Sequence, residues 1–474
     1  MKKIPKLYTI LTFLTAVSIA SLYSQNSRIE YNVDLSSYAS TKNTLPFWLV
    51  SNKYDIVPNS NNAILKTTFF SDFKRTSKKI DISYKASFIG YTEKNNNHIF
   101  INELYTSIKY NKIQLDLGVK HPDVLFEGLS SSNGNIAHST NSRSFPGYNL
   151  QIPEFTELPF AKKWLSFKGN YADYLLNDTR VVDNARLHTK SLYFKSRLSS
   201  KIEIITGLNH YVQWGGTSPT FGKQPSSFKD YLKIVRGASG GSGARIGDQI
   251  NALGNHLGSY LFQLNSYGKT NWSFYYSHPF EDTSGREMQN WRDGLYGFFI
   301  DFKKTKKLVT HLSVEFTYTK HMSGNSNHYT DSEGVAHVAR GRDNYFNNGT
   351  YASGWTYFGN TIGSPYFTPN LVNEDGITNG VIIGDNRFRA FNIGLKGYIG
   401  NFEYRSMISH TTYFGYFDDE YSPKPQQIST LLEFKLPKIN HLPFNISFGT
   451  GFDTGTYRPV NFGGYLKISK MGLL

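Results

Sequence analysis

The 474-residue chain contains no cysteine. Disulfides therefore contribute nothing to its stability, although an exported protein could have used them. No thiol is present near the amino terminus to carry a lipoprotein anchor. Long apolar runs are missing as well. No stretch after the first two dozen residues approaches the ~18 uncharged apolar residues of a spanning helix, and mean hydropathy is −0.42. These absences exclude a helical membrane protein. They do not exclude a membrane-spanning strand barrel, in which only alternate residues meet lipid and mean hydropathy stays low. Acidic residues are in deficit, 36 against 51 Lys and Arg, for a net charge of +15. The positive charge is dispersed, which suits solvated strand ends beside phosphate-rich lipid as well as a dedicated anion site. A nucleic-acid partner does not suit an exported chain.

Export is indicated by the amino terminus. Lys2, Lys3 and Lys6 precede an uncharged apolar stretch from Leu7 to Ala20, and Ser18-Ile19-Ala20 or Tyr23-Ser24-Gln25 supplies a cleavage site. Residues 1–24 are read as a signal peptide. Aromatic residues are abundant, with Trp, Tyr and Phe making up 16% of the chain. Nearly all are Tyr and Phe, which favour strands, and barrels place aromatic girdles at both membrane interfaces.

Period-two alternation dominates the rest. Ile80, Ile82, Tyr84, Ala86 and Phe88 share one face, with Asp81, Ser83, Lys85 and Ser87 on the other. Leu104 to Tyr110 turns at Asn111-Lys112 into Ile113 to Val119. Leu312, Val314, Phe316 and Tyr318 alternate with His311, Ser313, Glu315 and Thr317. Phe391, Ile393, Leu395 and Ile399 lead through Gly400-Asn401 into a further strand, and Ile428, Thr430, Leu432 and Phe434 form another face. These segments run about 8 to 11 residues, near the ~9–11 that a tilted strand needs to cross a bilayer. Charged residues in mid-strand suit a wet lumen rather than a sandwich core, although alternation alone also fits a secreted β-sandwich or β-helix.

Short turns alternate with long excursions at His121 to Phe160, Gln213 to Gly258, His278 to Gly294 and His321 to Asn386. Connections of that size usually carry function or are disordered. Ser36 to Asn62 lacks strand periodicity and reads as a segment inside or below the lumen. No helix-period segment of useful length follows the leader. The expected division is 1–24 leader, 25–64 amino-terminal periplasmic or plug segment, and 65–474 barrel.

Few constellations point to catalysis. Ser277, His278, Glu281 and Asp282 lie together, but no strained nucleophile turn accompanies them. His321 and His328 have no cysteine or clustered carboxylates to complete a metal site. Gly237 to Gly243 lacks the Lys-Ser/Thr ending of a nucleotide loop. No catalytic residue, metal or cofactor is expected. The loops instead combine aromatics, amides and arginine: Gln213-Trp214-Gly215-Gly216, Asn255-His256, Trp291-Arg292-Asp293, Asp343-Asn344-Tyr345-Phe346-Asn347-Asn348-Gly349 and Gly354-Trp355-Thr356-Tyr357. Sugars stack their C–H faces on rings and pair their hydroxyls with amides and carboxylates. An acidic sugar adds a carboxylate for Arg to grip. The same residues also make tight turns and rim anchors.

These loop segments, with Gly254-Asn255-His256-Leu257-Gly258, Ile362-Gly363-Ser364-Pro365 and Leu45-Pro46-Phe47-Trp48-Leu49-Val50-Ser51-Asn52, resemble the Bacteroidetes branch of the Wzi capsule-assembly family. The similarity extends over about residues 25 to 474. It implies an all-β, antiparallel transmembrane barrel of about 18 strands, long loops occluding the extracellular mouth, and a small periplasmic helical element. It also implies a surface lectin for capsular polysaccharide. The chain departs from the family pattern in showing no evident helical bundle and in ending Met471-Gly472-Leu473-Leu474 without a terminal aromatic.

The leading expectation is thus a non-enzymatic outer-membrane barrel, monomeric, that binds capsular or exopolysaccharide and lies among outer-membrane lipid and lipopolysaccharide. Trp214, Trp291 and Trp355 are expected as stacking faces, and Arg236 and Arg292 as partners of acidic groups. Asn255, His256, Asp293, Asp343, Asn344, Tyr345 and Asn348 are expected as hydrogen-bonding contacts. Two rivals remain open at this point: a porin-like channel for oligosaccharides or hydrophobic compounds, and an outer-membrane hydrolase.

Overall fold

A computed structural model describes residues 29–74, 80–93, 96–161, 163–241, 248, 252–281, 283–324, 329–330, 336–337, 341–370, 382–417, 419–438 and 442–474. The leader expected over 1–24 lies outside the described residues, as do Asp282, His328 and Gly243.

Eighteen wall strands form one sheet. The first six are β1 (Glu30–Ser40), β2 (Asn62–Ser71), β3 (Ile80–Glu93), β4 (Asn96–Tyr110), β5 (Ile113–Val119) and β6 (Pro146–Glu157). The next six are β7 (Leu165–Leu175), β8 (Arg186–Arg197), β9 (Ile202–Trp214), β10 (Asn255–Ser266), β11 (Asn271–Phe280) and β12 (Gly294–Asp301). The last six are β13 (His311–Tyr318), β14 (Arg387–Ile399), β15 (Phe402–Tyr416), β16 (Gln426–Lys435), β17 (Asn445–Gly455) and β18 (Asn461–Leu473). Each pairs antiparallel with its sequence neighbours. Leu35 of β1 faces both Leu65 of β2 and Ile468 of β18, so the sheet closes and has no free edge.

Closure is what the residue pattern demands. Leu65, Val314, Ile393, Ile428, Leu432 and Phe448 point outward and are exposed, whereas the intervening Thr68, Ser313, Glu315, Asn392, Gln427 and Ser429 point inward and are buried. A sheet that is apolar outside and polar inside is stable only with lipid around it. On one side of the barrel the outward aromatics run as a row of ring contacts, Tyr276–Tyr296 stacked with centroids 4.7 Å apart and Phe316–Phe391 tilted at 4.6 Å.

Up-and-down antiparallel order places every connection after an odd strand at one end. The stretches 41–61, 120–145, 215–254, 281–293 and 319–386 all gather there. The opposite end has only 72–79, 111–112, 158–164, 198–201, 267–270, 302–310, 400–401 and 436–444. Long connections mark the extracellular end of an outer-membrane barrel. Among the described residues, no α-helix occurs in the short connections; Pro159–Ala161 forms a 3-10 turn.

Two expectations are corrected. Glu30–Ser40, inside the stretch expected to precede the barrel, is a wall strand. Its outward face, Val33, Leu35, Ser37 and Ala39, is too weakly apolar to show the period. A helix also follows the leader after all: α1 (Phe228–Arg236), capped by Ser227 and Asp230 at its start and by Gly237 at φ 65 at its end. Phe228, Tyr231, Leu232 and Val235 do share one helical stripe, but nine residues span too few turns for that period to stand out in the sequence.

Candidate functional site

The 41–61, 120–145 and 319–386 connections fold back into the lumen and make a core of their own. Leu45, Phe47, Trp48 and Leu49 pack in one cluster with Ile136, Tyr345, Phe346, Trp355, Ile362, Tyr366, Phe367 and Phe388. Inward polar groups of the wall serve as sockets for this plug. Trp48 Nε1 donates to Ser409 Oγ at 3.0 Å, and the Phe47 amide donates to Asp453 at 2.9 Å. Glu315 accepts from Ser130 Oγ at 2.5 Å, the Ser131 amide at 2.6 Å and Tyr275 Oη at 2.6 Å. Lys53 donates to Glu433 at 3.1 Å, and Glu433 also accepts from Arg405 and, at 3.0 Å, from Tyr465 Oη. Burial lowers the Lys53 ammonium from its usual range, with Glu433 opposing the shift.

Most of the loop residues expected to meet sugar hold this plug together. Trp355 is buried, and its Nε1 donates to the Ala137 carbonyl at 2.6 Å. The Gln213 amide donates to Gly354 O at 3.1 Å, Asn255 donates to Gln213 Oε1 at 2.8 Å, and Asn348 donates to Asn255 Oδ1 at 3.1 Å. Asn348 Oδ1 also accepts from the Thr350 and Tyr351 amides, both at 2.9 Å. Gly216, in the same Trp-Gly-Gly turn, has φ 82, and a Cβ there would lie 2.6 Å from the Asp183 carbonyl. The carboxylate of Asp293 accepts from the His321 amide at 2.9 Å, the Met322 amide at 2.7 Å and Tyr345 Oη at 2.7 Å. Burial pushes its carboxyl up to about 7 despite these donors. Asp343 accepts from Ser284 and Ser323, and Asn344 from Asn347 and Asn386.

The others lie on the outside. Trp214 is buried against Val212, Ile234 and Leu253 beneath α1, and His256 bonds His210 at 2.9 Å on the outer wall. Arg236, Trp291 and Arg292 are exposed. The structure therefore gathers Asn255, Asn348 and Trp355 in the plug, ties Asp293 to Tyr345, and keeps Trp214, His256, Arg236, Trp291 and Arg292 apart from them.

A concavity does exist, in a place the loop motifs did not indicate. A cavity of about 550 Å³ lies inside the lumen between the 120–145 connection and strands β5 to β11. Inward amides line it: Asn170 donates to Asn149 at 3.1 Å, Ser191 donates to Asn170 at 2.5 Å, and Tyr193 Oη donates to Asn209 at 2.5 Å. Gln151 and Lys120 both reach Asp116, at 2.6 and 2.9 Å. Lys168 sits 5.0 Å from the Phe155 ring centre and 5.1 Å from that of Tyr193. Burial lowers the His138 imidazole, another lining group, to about 4. The sequence signal for this lining is the inward half of each alternation, polar and aromatic where the outward half is apolar.

The catalytic candidates separate. Ser277 faces the lumen, where its Oγ meets the Ile136 amide at 3.3 Å. His278, one residue on, faces outward against Tyr276 Oη at 2.9 Å and the Asp293 carbonyl at 3.0 Å. Adjacent strand residues point to opposite faces, so these two do not form a nucleophile–base pair. Among the described residues no group of three or more His, Asp or Glu side chains could hold a metal ion.

A family profile described as "Capsule assembly protein Wzi" matches residues 49–372. The chain belongs to that family. This Wzi-family chain is an outer-membrane β-barrel, and its fold is shared with solved structures. Wzi of Escherichia coli, an outer membrane protein involved in group 1 capsule assembly and a carbohydrate-binding β-barrel, aligns at TM-score 0.54 with 12% identity over 98% of this chain and 89% of that one. OpdO of Pseudomonas aeruginosa aligns at TM-score 0.50 with 9% identity over 95% of this chain and 98% of that one. At these identities the likeness is one of fold. No curated protein matches the chain.

Proposed function

We propose that this Wzi-family barrel is a non-catalytic lectin that binds capsular or exopolysaccharide and holds it to the cell. The carrying observation is the luminal cavity, about 550 Å³ in volume, with amides from several strands converging beside aromatic rings and lysines. Amides such as Asn149, Asn170 and Gln151 pair with hydroxyls, the Tyr193 and Phe155 rings offer faces for C–H stacking, and Lys120 and Lys168 suit acidic sugars. Residues such as Asn255, Asp293, Asn348 and Trp355 support that site indirectly by fixing the plug above it. Individual sugar contacts are weak. A polymer engaging many copies of the barrel gains retention through avidity.

The test is a clean deletion restored with wild-type protein or with an Asn149→Ala/Asn170→Ala/Tyr193→Ala variant. Deletion should release polymer into the medium with total synthesis unchanged, and the variant should restore little retention. Retained polymer in the deletion strain overturns the reading. A channel reading is disfavoured by the packed plug and is tested in a planar bilayer, where the wild-type protein should show no steady conductance.

A further inference from the structure

Helix α1 does not belong to the plug. It lies on the outer surface of the barrel, at the end with the long connections. Asn170, Ala172 and Tyr174 of β7 face the lumen, so Tyr171 and Asp173 face out. Tyr231 of α1 bonds both of them through its hydroxyl, at 2.5 Å to Tyr171 and 2.6 Å to Asp173. Ile234 of α1 is buried on Val212 and Trp214, the last two outward positions of β9.

The height of the helix on the wall says what surrounds it. On β8, Lys190 is the last outward residue tied to α1, reaching the Val235 carbonyl. The next outward residue is Leu192, which is 46% exposed, and its counterpart on β9 is Leu208. Both belong to the apolar band. One outward step along a strand is about 7 Å, so the helix rests at the upper border of the hydrocarbon, at headgroup depth. Its exposed residues match that depth. Phe228 is 74% exposed and Leu232 41%, and Lys229, Lys233 and Arg236 share the same nine residues with one acid, Asp230, which is engaged in capping. This combination is that of an interfacial helix.

Basic residues continue along the same rim. Tyr260, Tyr276 and Tyr296 face outward on β10, β11 and β12, and their hydroxyls donate to the carbonyls of Arg286 at 3.4 Å, Trp291 at 3.0 Å and Arg292 at 3.1 Å. These contacts set Arg286 and Arg292 just above the tyrosine row. Arg389, exposed on β14, continues the belt.

We propose that this flank of the extracellular rim, from α1 to Arg389, binds the phosphate groups of outer-leaflet glycolipid, with Phe228 and Leu232 entering the acyl boundary. The ligand class is a phosphorylated lipid amphiphile held laterally on the wall. This site is separate from the luminal cavity and does not depend on polysaccharide binding.

The experiment places the full mature chain in phosphatidylcholine nanodiscs containing either bisphosphorylated lipid A or enzymatically dephosphorylated lipid A, and counts retained lipid by native mass spectrometry. Wild-type protein should retain the phosphorylated form about tenfold better, and Lys229→Glu/Lys233→Glu/Arg389→Glu should abolish most of that preference while Lys229→Arg/Lys233→Arg keeps it. Gel mobility without heating verifies that each barrel is folded. Equal retention of both lipids by the wild type overturns the proposal, as does an unchanged preference in the charge-reversed variant. A variant that loses only soluble acidic polysaccharide and keeps its lipid preference also overturns it, and would assign the belt to the polymer.

Discussion

The wall and the plug of this barrel bury apolar surface in opposite directions. Leu432 and Phe448 of the wall face outward toward lipid, whereas Trp48, Trp355 and Phe367 of the plug pack toward the middle of the lumen. Between them stands a ring of inward polar groups, including Ser409, Glu315 and Asp453, that are sockets for the plug. The wall is held by ladders between neighbours in sequence. The plug is held by contacts such as Trp48 to Ser409, far apart along the chain. One barrel thus contains a repetitive, lipid-dependent shell and an aperiodic, protein-like core, and each should fail separately.

The largest separation is expected from Trp48→Ala/Trp355→Ala. Each truncation of a buried Trp costs about 3–5 kcal/mol, here charged to the plug. Steady conductance should appear in a planar bilayer while the heat-dependent gel shift of the barrel is retained; a barrel that melts with its plug breaks the comparison. Glu433→Ala should follow closely, because it leaves Arg405 and Lys53 in the lumen without their carboxylate, at about 3–5 kcal/mol. Lys53→Met should cost less, since the Arg405 pair survives it; denaturant titration of the plug checks the order.

Leu432→Arg tests the wall. It should lower folding into vesicles by about 2–4 kcal/mol near the bilayer midplane, with little change for a soluble reporter of the plug. Asp293→Ala comes next, leaving buried donors from Tyr345 and Met322 unanswered at about 1–3 kcal/mol each. It should expose the 319–386 connection to protease without disturbing the wall. The smallest effect is one of pH. The Asp293 carboxyl is raised to about 7 in the fold, so its neutral form is favoured there, and that contribution, complete at acid pH, is lost as pH rises through 7. Protease protection of 319–386 should therefore decline from about pH 4 to about pH 7 and level off above that, and Asp293→Asn should flatten the slope.

Much of the shell was legible in the residues. The faces assigned to 80–88, 312–318 and 428–434 are the outward faces observed, and the turns at Asn111-Lys112 and Gly400-Asn401 are hairpin turns. Strand β1 is hard to read because Ser37 and Ala39 occupy outward positions, and α1 because its nine residues span too few turns for the helical period to stand out. The loop candidates were legible as chemistry but not as placement. Asn255 and Trp355 have the composition of a sugar site, yet their partners are other protein groups.

Alternation, taken with strand length, short turns and aromatic content, already pointed to a sheet with lipid on one face and a polar lumen on the other, because a strand's two faces are local properties of consecutive residues. The tertiary structure alone decided which polar residues meet each other and which stay open. Hydrogen-bond partners such as Gln213 with Gly354 are 141 residues apart, and no local pattern encodes a contact at that separation. The same physics leaves the cavity to be found only once seven strands and one inward-folded connection stand around it.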